Sequence, residues 1–70
     1  MGAGPISHRE LVARLHKFGY KGPRRKGKHP FMVKRTFKLT IPNDHRSLIS
    51  GPLVDKILDQ AMISLDDWNN

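Results

Sequence analysis

His29 is the residue best placed by its neighbours to do chemistry. It follows Lys26-Gly27-Lys28, and residues 17–38 hold nine cations (Lys17, Lys21, Arg24, Arg25, Lys26, Lys28, Lys34, Arg35, Lys38) without one Asp or Glu. Histidine is the side chain whose ordinary titration lies nearest neutral pH, so this imidazole can serve as a general base. Ammonium and guanidinium groups around it can hold a phosphodiester and stabilise negative charge that develops there. RNA carries its own nucleophile, the 2′-hydroxyl, so its cleavage requires neither a metal nor a nucleophile from the protein. The same residues also describe a turn that touches phosphate without reacting. The local pattern leaves both readings open.

The other histidines are weaker candidates. His8 and His16 lie eight residues apart on one helical segment and read as solvated positions. No two histidines stand at i, i+4, so no metal site is expected. His45 sits in the turn-rich stretch 42–47. A tight turn at Arg35-Thr36 would bring the start of the second strand beside Pro42, and His45 within reach of His29. Two imidazoles could then share base and acid roles, with His45 as auxiliary. The alternative is a loop histidine in solvent. The absence of cysteine excludes a disulfide framework, a thiolate zinc site and a cysteine nucleophile, and fits a reducing cytoplasm.

Charge points the same way as His29. The 70 residues carry 13 Lys and Arg against six Asp and Glu, a net charge of +7. Residues 39–70 hold two cations and five acids, so the positive charge is a patch from the middle of the chain. Such a patch attracts polyanions, of which nucleic acid is the commonest. Arg24, Arg25, Lys26, Gly27, Lys28 and Lys34 are the expected RNA-binding set. A membrane surface is a poorer partner, because the basic stretch has no helical apolar face. No apolar run nears the roughly 18 residues of a membrane span, and the opening residues show no signal-peptide core.

Ordinary secondary structure must hold these groups. Ser7-x-x-Glu10 spells a capping box, with Ile6 and Leu11 spaced as a hydrophobic staple. Leu11, Leu15 and Phe18 recur at helical spacing before Gly19, which predicts a helix over 8–18. Phe31 and Val33, and then Phe37, Leu39 and Ile41, fall on alternate positions, which predicts strands within 20–42, turning at Gly27 and at Arg35-Thr36. Gly22-Pro23 makes the first strand short or irregular. Pro52 opens a helix near 52–62, with Leu53, Val54, Ile57, Leu58 and Ala61 as its apolar stripe. Ser64-x-x-Asp67 starts a last helical turn.

The order is helix, three-stranded antiparallel meander, helix. Both helices should cover one sheet face, with Leu11, Leu15, Phe18, Phe31, Val33, Leu39, Ile41, Leu53, Ile57 and Leu58 in the core. A chain of this mass buries about 60 % of its unfolded surface, enough for one core. The expectation is one small two-layer α+β domain over 1–70, with 1–6 as a flexible lead-in. The layout is that of double-stranded-RNA-binding domains.

Several features together resemble the HicA-like toxins of type II toxin–antitoxin modules. They are Gly19-Tyr20, Gly27-Lys28-His29, Leu39-Thr40-Ile41-Pro42, and Gly51-Pro52-Leu53 followed by Ile57-Leu58-Asp59-Gln60-Ala61. The resemblance covers about residues 7–68. It implies a double-stranded-RNA-binding-like fold and a metal-independent endoribonuclease that cleaves mRNA, uses no cofactor and is held inactive by a HicB-like antitoxin. The family's catalytic histidine corresponds to His29 and its turn glycine to Gly27. The chain departs from the pattern at Lys28 and Pro30, where many members have a small polar residue and a second histidine. A non-catalytic RNA-binding or ribosome-associated module on the same basic face is the alternative, and an orphaned toxin that survives as a binding partner is a third reading.

Overall fold

Ser7 closes the start of the first helix. Its Oγ accepts the Glu10 backbone N–H at 3.1 Å, the first half of the capping box. The Glu10 carboxylate leaves the second half unmade and accepts from Arg14 Nε at 3.3 Å instead. The helix so begun, α1 (His8–Lys17), buries Leu11 and Leu15 completely. His8, expected in solvent, is also buried, because the first turn of α1 lies against the body of the domain. His16 is exposed as expected, yet not idle: its Nε2–H donates to the Gly22 carbonyl at 2.7 Å and ties the end of α1 to the sheet.

The computed structural model describes residues 2–42 and 47–70, and of Lys26 the backbone alone. Three strands follow α1: β1 (Lys21–Lys26), β2 (His29–Lys34) and β3 (Phe37–Thr40), antiparallel in the order β1-β2-β3. Both connections are two-residue turns. Lys26 pairs with His29 around Gly27-Lys28, and Lys34 pairs with Phe37 around Arg35-Thr36. Gly27 adopts φ +78°, a conformation that glycine enters without steric cost. Arg35 takes φ +57° at the same place in the second turn. The expected irregularity of the first strand is real: the register shifts between Lys21 and Arg24, across Gly22-Pro23.

Two helices complete the domain, α2 (Gly51–Ala61) and the short α3 (Leu65–Asn69). Ser64 caps α3 by accepting the Asp67 N–H at 3.1 Å. α1 packs over β1 and α2 over β3, on the same side of the sheet. The result is the expected two-layer α+β architecture. The lead-in, expected to be flexible, is joined to this body. Ile6 and Ile49 exchange backbone hydrogen bonds at 3.0 and 2.7 Å, and the Ala3 N–H donates to Asp55 Oδ1 at 2.8 Å.

Three core expectations fail, for two reasons. Phe31 and Val33 were expected inside, but Met32 is the inward residue of β2, with no exposure. Met32 lies opposite the buried Leu39, whereas Phe31 lies opposite Thr40 and Val33 opposite Lys38. Side chains paired across a ladder share a face, so Phe31 and Val33 take the side away from the helices and stay partly exposed. Leu53 is 40 % exposed, because Val54, Ile57 and Leu58 already form the inward stripe and Leu53 lies one step around α2. Tyr20, Ile49 and Trp68 fill the core instead. Trp68 stacks on Phe18 at 5.9 Å, and burial pushes the Tyr20 phenol above its ordinary pKa of 10.0.

Candidate active site

His29 opens β2 directly after the tight Gly27-Lys28 turn, and its side chain is exposed. The ladder decides its surroundings. Lys26 lies opposite it on β1. On the other side, Ile41 N–H donates to the Pro30 carbonyl at 3.1 Å, which continues the β2–β3 register beyond Thr40 and brings Pro42 alongside His29. The approach to Pro42 expected from the turn at Arg35-Thr36 is therefore present. His45 lies outside the described residues.

His29 and Pro42 share a groove of about 320 Å³ with Thr40 and with Leu53, Lys56 and Gln60 of α2. The groove lies at the end of β3, between residues 40–42 and α2. The stripe 53, 56, 60 is helically spaced and adjoins the buried stripe. This explains Leu53: its side chain lines the groove that holds His29 instead of entering the core. Lys56 and Gln60 lie outside the apolar stripe read from the sequence, and only the packing of α2 against β3 brings them to His29.

The expected RNA-binding residues divide. Gly27 and Lys28 form the turn that carries His29, and Arg24 pairs with Phe31 on the open face of the sheet. Arg25 is exposed and pairs with Pro30, one residue further along β1. Lys34 stands at the opposite end of β2, with its Nζ 5.8 Å from the Tyr20 ring centroid. Five residues of strand, about 17 Å, separate it from His29. Lys38, outside the expected RNA-binding set, also lies on the open face, its Nζ 5.3 Å from the Phe31 ring centroid. The register that turned Phe31 outward also placed Lys38 beside it.

This arrangement can do two things. The cations of the open face can neutralise a phosphate backbone, and an exposed imidazole at the end of that face can exchange a proton with whatever is bound. Among the described residues, no helix is long and apolar enough to cross a membrane.

No curated protein and no solved structure matches the chain. A family model does, that of the HicA toxin of bacterial toxin–antitoxin systems, over residues 8–63. The match begins at the first residue of α1 and ends just beyond α2, so it takes in the sheet, the Gly27-Lys28 turn, His29 and the groove beside it. A match over most of the chain, carried by the same elements that build the site, settles its membership: this protein belongs to the HicA toxin family of bacterial toxin–antitoxin modules.

Proposed function

We infer that this toxin is a metal-independent endoribonuclease acting on mRNA, with His29 as general base. The observation that carries the reading is the position of His29: exposed, directly after a two-residue turn, where a basic sheet face meets a groove containing Lys56. His29 takes the proton from an RNA 2′-hydroxyl. The 2′-oxygen bonds to the adjacent phosphorus as the bond from phosphorus to the 5′-oxygen breaks, and that oxygen takes a proton from solvent. The products are a 2′,3′-cyclic phosphate and a 5′-hydroxyl. Lys28 and Lys56 flank the site and offset the charge added to the phosphoryl group.

An antitoxin partner follows from the family. A HicB-like protein with an acidic surface would neutralise the toxin most directly by covering the open face and His29. Association would then be fast at low salt and slow as salt rises.

The decisive experiment incubates the purified protein with end-labelled RNA, with and without EDTA, beside His29→Ala and a DNA of the same sequence. Cleavage should persist in EDTA, vanish with His29→Ala and spare DNA, which lacks the nucleophile. RNA that is bound but never cut by the unsubstituted protein would return it to the non-catalytic RNA-binding reading.

A further inference from the structure

An antiparallel sheet covered on one side only carries polar residues on its open side. Here the middle strand breaks that rule. Phe31 and Val33 both face away from the helices, and neither joins the core. Around Phe31 the face is cationic: Arg24 is its ladder partner on β1, and the Lys38 ammonium lies 5.3 Å from its ring centroid. His29 stands two residues earlier on the same strand and so, by alternation, on the same face. An aromatic ring ringed by cations, beside an imidazole, suits a base attached to a phosphate.

We propose that the open sheet face is a binding platform for single-stranded RNA, with Phe31 as the residue on which the base next to the scissile phosphate stacks. The proposal rests on the endoribonuclease reading and names its substrate class and a positioning residue. Three physical arguments support it.

The first is geometry. Alternate strand residues lie about 6.5 Å apart. That span is about the reach of one nucleotide from phosphate to base, so a phosphate can sit at His29 while the base beside it lies on Phe31. The second is the ring itself. A flat aromatic surface can stack only on a base that is splayed out, and single strands offer such bases. The third is exchange. The Lys38 contact on Phe31 is a cation–π pair on the open face, weak enough for a base to displace. The released ammonium then meets the backbone phosphate. Double-stranded-RNA readers instead recognise duplex shape across successive minor grooves, for which a partly exposed ring in the middle of a sheet has no use.

The test compares one RNA, carrying 2-aminopurine as a fluorescent base, alone and annealed to its complement. His29→Ala serves as the background, so the RNA stays intact. The single strand should bind about tenfold or more tightly than the duplex, with 2-aminopurine fluorescence quenched at one register. Adding Phe31→Leu, which keeps an apolar residue of similar reach but removes the ring, should weaken single-strand binding roughly tenfold or more and abolish the quenching. Phe31→Tyr should retain both. Thermal melts of each variant, unchanged within a few degrees, establish that the fold survives.

Equal binding by the Phe31→Leu variant, or preference for the duplex, overturns the platform. If the unsubstituted protein still cuts RNA in that case, the endoribonuclease reading stands without it. If the unsubstituted protein neither binds nor cuts either form, both readings fall together.

Discussion

On the helix-facing side of the sheet, Met32, Leu39 and Ile41 have at most 1 % exposure. On the open side, Arg24, His29, Lys38 and Thr40 are exposed, with Phe31 and Val33 partly covered between them. Strands β2 and β3, with Ile41 just beyond β3, supply both sets on alternate residues, and Arg24 of β1 joins the open side. The inward set contributes stability through burial, and little else constrains its chemistry. The outward set contributes almost nothing to the core, so its composition is free to answer to a partner. Dividing the two tasks between the faces of one sheet lets these 70 residues do both.

The comparison can be broken most severely at His29. His29→Ala should lower the cleavage rate by about 10² to 10⁴, the usual contribution of a positioned general base, while the melting temperature holds. Coupled loss of fold and activity would place His29 with the inward set. Met32→Ala should do the reverse. Truncating a fully buried methionine costs about 2–5 kcal/mol, read from urea unfolding, whereas Phe31→Leu should cost under about 1 kcal/mol. Similar losses at both positions would mean that the open face is packed in solution.

The charge of the open face is the next, smaller effect. Arg24→Gln with Lys38→Gln should reduce the salt slope of log affinity for single-stranded RNA by about 1.4, two phosphate contacts' worth, with stability unchanged. An unaltered slope would move the backbone path off this face. The smallest expected effect lies at the far end of α2. Met62 caps that helix at φ +58° while 92 % exposed. Glycine enters this conformation without the Cβ penalty, so Met62→Gly should raise stability by about 0.5–1 kcal/mol in the same urea assay. A loss there would show that the exposed side chain has a structural partner.

Local signals in the sequence carried most of the architecture. Ser7 and Ser64 mark helix starts, and Gly27 marks the turn that presents His29. Gly22-Pro23 foretells the uneven first strand. Each of these acts through hydrogen bonds or steric limits within a few residues, so no distant part of the chain was needed to read it. The setting of His29 was legible for the same reason: its turn and its cationic neighbours are contiguous.

What tertiary structure decided begins where local signals are silent. Pro30-Phe31-Met32-Val33 is an unbroken apolar run, and such a run has no parity, so nothing within it says which alternate pair turns inward. The pairing of Met32 with Leu39 makes that choice, sending Phe31 to the face of His29 and Lys38. Likewise Lys56 and Leu53 meet His29 only because α2 settles behind β3, and Ile6 meets Ile49 across 43 residues of chain. Composition and spacing determined that a basic, histidine-bearing two-layer domain would form. Its register and helix docking, set by burial of the whole core at once, determined which groups share a site.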